Sequence, residues 1–161
     1  MKTRACCDVL KALEGKTLAT AESLTGGGIG AAITGTPGAS AVYVGGVVSY
    51  TNDVKRDVLG VPQALLDEHG AVSAPVAQAM AEGVRRITGA DFAVSVTGVA
   101  GPNRDDRDNE VGTVYLAVST AQNTSVSLFR FDGDRPAIRS AAADTAFSLL
   151  LRQLNENQPT D

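Results

Sequence analysis

The sequence predicts a three-layer α/β/α sandwich on a mostly parallel or mixed sheet, and three observations carry that prediction. Short apolar, β-rich runs alternate with stretches of helical periodicity along almost the whole chain. Glycine-rich or polar turns follow three of those runs, at residues 22–28, 50–55 and 97–112. The packing residues are small: Trp is absent and aromatics make up 4% of the chain, so Ala, Val, Leu and Gly must fill close helix-on-sheet layers. A length of 161 residues suits one domain, 1–161, with a polar tail from about Asn155.

Along the chain, Val9, Leu10 and Leu13 mark a helix over 4–14 that Gly15 stops. Thr17 to Ala21 is a short buried strand. After the glycine run, Ile29, Ala32 and Ile33 stripe a second helix, ended by Gly35-Thr36-Pro37-Gly38. Residues 41–51 are β-rich, and their glycine pair Gly45-Gly46 marks a bulge or a close backbone approach. Asn52 caps a short helix to about Leu59, and Pro62 begins another that ends near Gly70. Ser73 caps a longer helix over 74–88 with Val76, Met80, Val84 and Ile87 on one face. Asp91 to Thr97 is a strand, 98–112 a loop, and 113–120 and 124–131 are neighbouring strands joined by Ala121-Gln122-Asn123. Asp134 caps a final helix over 135–154, with Ile138, Ala142, Thr145, Leu149 and Leu150 inside.

Composition removes several function classes. The formal net charge is −4 and no basic tract occurs, so nucleic-acid binding, which needs clustered Lys and Arg, is not expected. No stretch is long and apolar enough to span a bilayer, and Met1-Lys2-Thr3-Arg4 is not followed by an apolar signal region. The expectation is a cytoplasmic protein with a small-molecule partner and no membrane contact. The adjacent Cys6 and Cys7 suit neither a disulfide nor a zinc site and read as one buried and one exposed thiol. The run from Arg104 to Glu110 reads as a solvated loop tip without metal-ligand spacing, so neither metal nor cofactor is expected. The Val-, Gly- and Ala-rich faces are compatible with a homo-oligomer.

Ligands of open α/β sheets bind beyond the carboxyl ends of the strands. There Ser23 sits between an apolar strand and glycines that open a helix, so its hydroxyl and nearby backbone N–H groups face the same place. A helix-capping role for Ser23 or Thr25 fits the local sequence equally well. The turn is not a Walker loop, since no Lys-Ser/Thr follows. It is not a nucleophile elbow either, since Ala21 stands where the first glycine belongs. A nucleophilic serine needs a base. The single histidine, His69, ends a short helix beside Asp67 and Glu68 and reads as a surface residue. Among Lys2, Lys11, Lys16 and Lys55, only Lys55 follows a strand end. The glycines of Thr97-Gly98-Val99-Ala100-Gly101-Pro102 allow backbone to approach a ligand closely.

Five motifs occur in order: 21–27, 45–55, 70–73, 96–102 and 111–114, reading AESLTGG, GGVVSYTNDVK, GAVS, VTGVAGP and VGTV. Together with Gly133-Asp134-Arg135 and Arg139, they resemble the CinA C-terminal domain family, from about residue 5 to 152. That family includes stand-alone PncC-type nicotinamide-nucleotide amidases, and with no preceding molybdopterin-binding-like domain the chain looks like a stand-alone member. The resemblance implies hydrolysis of the carboxamide of nicotinamide mononucleotide to nicotinate mononucleotide and ammonia. It implies Ser23 as nucleophile and Lys55 as base, and it adds Tyr50 as a supporting hydroxyl or relay. The expected oxyanion donors are N–H groups of the Leu24-Thr25-Gly26 turn. Gly27, Thr97, Gly98, Gly101 and Arg139 complete the expected substrate-binding set. Arg135, Arg139 and the glycine loops are the candidate phosphate donors. The chain departs from common family usage at Leu24 (often Cys), at Asn103-Arg104-Asp105 and at Glu110 (often Pro), which bears on specificity. Two other readings are a non-catalytic nucleotide- or phosphosugar-binding protein and an amidase for another small carboxamide.

Overall fold

The computed structural model describes residues 4–157, so the last four tail residues and Lys2 lie outside the described part. The strands are β1 (Leu18–Glu22), β2 (Tyr43–Val48), β3 (Phe92–Gly98), β4 (Thr113–Ser119) and β5 (Thr124–Arg130). The helices are α1 (Arg4–Ala12), α2 (Gly28–Thr34), α3 (Asn52–Asp57), α4 (Gln63–His69), α5 (Ala74–Thr88) and α6 (Arg135–Glu156), with a 3₁₀ turn at Ala39–Ala41. The sheet order is β2-β1-β3-β4-β5. β1 pairs in parallel with both β2 and β3, while β3–β4 and β4–β5 are antiparallel. The sheet is therefore mixed, with helices on both faces, as the sequence predicts.

The two faces are built differently. Leu18, Val94, Val96, Val114, Leu116 and Val118 point to the side covered by α1, α2 and α6, where Ile29, Ile33, Ile138, Phe147 and Leu150 meet them. The other side carries Ala19, Ala21 and Ala93, against Val76, Met80 and Val84 of α5. Small sheet residues let α5 approach closely, so the Ser95 hydroxyl donates to the Ala77 carbonyl at 2.6 Å. A Cβ on Gly83 would stand 2.1 Å from the Leu59 carbonyl oxygen, so that helix position has no room for a side chain.

This topology makes β1 a switch point. From β1 the chain crosses to β2 over the face carrying α2, then returns to β3 on the other side of β1 over the face carrying α5. The crossovers diverge at the carboxyl end of β1, the place where open α/β sheets bind their ligands. Ser23 is the next residue. The glycine pair in β2 serves close approach: a Cβ on Gly46 would lie 2.2 Å from Thr20 Oγ1, and the β1–β2 register shifts between Leu18 and Ala19.

Several local expectations change. Thr51, not Asn52, caps α3, its hydroxyl accepting from the Val54 N–H. Ser73 precedes α5 but makes no cap; its hydroxyl donates to Gly70 O at 2.8 Å. Ile87 is 50% exposed, because Val84 and the half-buried Thr88 take the inward places of the last turn. Thr145 and Leu149 are half-buried, with Ala146 and Phe147 turned inward instead. Cys6 is buried and Cys7 half-buried. Arg107 is exposed in the loop, as expected, but it is tied down. Its guanidinium donates to the carbonyls of Leu66, Asp67 and Glu68, closing the carboxyl end of α4. Among the described residues no helix is long and apolar enough to cross a membrane.

Asp134 caps α6, its carboxylate accepting from the Ala137 N–H at 3.1 Å. Asp134→Ala is expected to lower stability by about 1 kcal/mol in urea unfolding. An unchanged midpoint would show that the cap contributes nothing.

Candidate active site

The end of β1 is tied to both neighbours before the turn begins. The Ser23 N–H donates to Val96 O at 3.0 Å, and the Ser49 N–H donates to Glu22 O at 2.8 Å. The chain then turns through Ser23–Gly27, with Gly26 at φ +58 and Gly27 at φ +98, a left-handed pair that favours glycine. The Gly26 N–H donates to Ser23 O, and the Gly28 N–H donates to Thr25 O. The Leu24 and Thr25 N–H groups take no acceptor among the described residues. Of the three expected oxyanion donors, Gly26 is thus already spent on the turn itself, leaving Leu24 and Thr25.

Neither Ser23 nor Thr25 caps α2. That role falls to Glu22, which is 2% exposed. Its Oε1 accepts from Thr25 Oγ1 at 2.6 Å and from the Ile29 N–H at 2.8 Å, and its Oε2 accepts from the Gly30 N–H at 3.0 Å. The carboxylate thus holds the first turn of α2 from the preceding strand.

Lys55 reaches the site from α3 and is 1% exposed. Its Nζ donates to Ser23 Oγ at 2.9 Å, to Ser49 O at 2.7 Å and to Tyr50 O at 3.2 Å. All three acceptors are neutral. Burial therefore acts on the ammonium without a compensating anion and pulls its pKa from 10.5 down to about 8. A lysine so placed releases its proton near pH 8, well below the ordinary lysine range.

The structure brings Ser23, Lys55, Leu24 and Thr25 together. The Tyr50 hydroxyl makes its hydrogen bond elsewhere: the residue is 57% exposed and its hydroxyl accepts from Arg135 Nη2 at 3.1 Å, while it is the Tyr50 carbonyl that accepts from Lys55. Arg135 Nη1 also donates to Gly101 O at 2.7 Å, joining the second and third loops at the mouth. Thr97 is buried and its hydroxyl donates to Ala71 O at 2.8 Å, holding the 70–73 loop. Gly98 permits close strand contact, since a Cβ there would lie 2.6 Å from Thr113 O. Arg139 lies over the turn, with Nε donating to Leu24 O at 3.0 Å and Nη2 to Thr25 O at 3.1 Å. His69 sits beside Glu68 at the end of α4. Sequence reasoning missed Glu22; the only signal was an acidic residue closing a buried strand just before glycines. Among the described residues no three His, Cys, Asp or Glu side chains cluster to hold a metal ion.

A mixed open α/β sheet with a buried serine–lysine pair at its switch point defines the class. The model of the CinA C-terminal domain matches residues 3–154. A CinA-like protein of Geobacter sulfurreducens is 52% identical over 141 residues, which are 88% of this chain and 34% of that protein. One from Synechococcus is 54% identical over 129 residues, 79% of this chain and 30% of that protein. The chain thus spans about a third of the length of these curated relatives. Among solved structures, the competence/damage inducible protein CihA from Agrobacterium tumefaciens is 41% identical with a TM-score of 0.88, covering 94% of this chain and 93% of that one. A CinA superfamily protein from Klebsiella pneumoniae superposes with a TM-score of 0.92 at 34% identity, covering 94% and 96%. The chain belongs to the CinA C-terminal domain family.

Proposed function

We propose that this domain hydrolyses the carboxamide of nicotinamide mononucleotide to nicotinate mononucleotide and ammonia. The observation that carries the reading is the 2.9 Å contact between Lys55 Nζ and Ser23 Oγ, in a site where the lysine can shed its charge. Neutral Lys55 takes the proton of Ser23 as Oγ attacks the amide carbon. The Leu24 and Thr25 N–H groups receive the developing oxyanion. Lys55 returns the proton to the leaving nitrogen, and ammonia departs. Water, deprotonated by Lys55, then cleaves the nicotinoyl ester and frees Ser23. The substrate class comes from the family resemblance.

The test is ammonia release from nicotinamide, its riboside and its mononucleotide by the same preparation. The mononucleotide is expected to be turned over with the highest kcat/KM. Equal rates on all three would remove phosphate recognition and leave an amidase for small carboxamides. Binding of the mononucleotide without release would instead make this a nucleotide-binding protein.

A further inference from the structure

We propose that Arg139 is a positioning residue that fixes the orientation of the oxyanion-binding turn, rather than the group that receives the substrate's phosphate. The inference rests on the amidase reading above. A trans peptide unit points its C=O and N–H in opposite directions, so whatever holds the carbonyl aims the N–H. The Leu24 N–H belongs to the peptide whose carbonyl, Ser23 O, is held by the Gly26 N–H at 3.0 Å. The Thr25 N–H belongs to the peptide whose carbonyl, Leu24 O, is held by Arg139 Nε at 3.0 Å. No backbone donor of the turn reaches that second carbonyl. Its orientation therefore depends on a side chain 115 residues away in sequence.

The same guanidinium holds Thr25 O through Nη2 at 3.1 Å, so its planar fork grips two successive carbonyls. The next two residues are the left-handed glycines Gly26 and Gly27, which resist a peptide flip less than any other pair. A Cβ on Gly26 would stand 3.4 Å from Arg139 Nη2, so the turn passes directly beneath the guanidinium. The charge also acts through the peptide: a cationic donor on Leu24 O polarises the unit and strengthens the Thr25 N–H as a donor. Arg139 is exposed at the surface, and its Nε and Nη2 both donate to the turn.

Arg139→Ala and Arg139→Lys, assayed on nicotinamide mononucleotide and on the riboside, separate the two roles. A positioning role predicts a fall in kcat of about tenfold to a hundredfold, by the same factor on both substrates, with KM little changed. Arg139→Lys recovers little, because an ammonium lacks the two-donor fork. Guanidinium ion at millimolar concentration restores part of the kcat of Arg139→Ala. Thermal melts are expected to stay near the wild type, since the residue is exposed. A loss confined to KM, and confined to the phosphorylated substrate, overturns the inference. If wild type releases no ammonia from either substrate, the amidase reading fails separately. Phosphonylation of Ser23 by a fluorophosphonate, followed by intact mass, then decides. In that reaction Lys55 takes the Ser23 proton and Oγ displaces fluoride. Labelling about tenfold slower in Arg139→Ala supports the inference; equal labelling, or none in the wild type, overturns it.

Discussion

Lys55→Met is expected to lower ammonia release from nicotinamide mononucleotide by about a thousandfold, and Ser23→Ala by at least as much. Methionine keeps most of the lysine stem in its buried slot but supplies no base. The wild-type pH profile carries the same information. Only neutral Lys55 can take the serine proton, so kcat/KM should rise with pH, tenfold per unit well below its pKa, and level off above about 8. Lys55→Met retains no such limb. Stability should follow a linked course. The lysine pKa is about 8 when folded against 10.5 as its ordinary value, so between these values the unfolded chain binds more protons than the folded one. Wild type therefore gains stability relative to Lys55→Met as pH rises from about 8 to 10.5, and loses it again as pH falls back. Below 8 both forms are protonated and the difference becomes constant. Melting both proteins at pH 7, 9 and 10 checks this (the other titrating groups are common to the pair). A gap in melting temperature that ignores pH would mean that Lys55 is not held in a desolvated site.

Glu22→Ala is expected to be the most damaging single change outside the reacting pair. It removes one acceptor shared by the Thr25 hydroxyl, the Ile29 N–H and the Gly30 N–H, all around a carboxylate that is 2% exposed. Buried donors left without partners each cost on the order of 1 to 3 kcal/mol, so a loss of about 3 kcal/mol is expected in urea unfolding. Activity should fall as well, because the turn after Ser23 loses its anchor to α2. Glu22→Gln keeps the shape but turns one acceptor into a donor. It should fall between wild type and alanine on both measures. A Glu22→Ala protein with an unshifted urea midpoint would show that water replaces the carboxylate without cost.

The residues that sequence reasoning reached share a property: their signal is local. Ser23 follows an apolar strand and precedes glycines, and Lys55 is the lysine that follows a strand end. The helix over 74–88 matches α5 because its hydrophobic stripe is unbroken through Val84. What stayed hidden depends on long-range geometry. Arg139 meets the turn across more than a hundred residues of chain, and one arginine on a polar helix surface says nothing about its acceptor. Arg107 is exposed as expected, but its partners are backbone carbonyls, which no side-chain pattern announces. Glu22 reads in the sequence only as the first residue of the turn 22–28, since its capping role appears only when α2 folds back over it. The position of the Tyr50 ring is likewise set by Arg135, 85 residues on, and not by its place beside Lys55.

Because β4 and β5 run antiparallel, the turn Ala121–Asn123 emerges at the end of the sheet remote from Ser23. Its three residues are exposed, and Thr120 folds the turn by accepting from the Gln122 and Asn123 N–H groups through its hydroxyl. A fluorophore on the side chain of Gln122 would therefore ride on a rigid hairpin, insulated from the chemistry. It would report unfolding of the sheet while leaving ammonia release untouched, so that inactivation and denaturation could be followed in one cuvette as separate events.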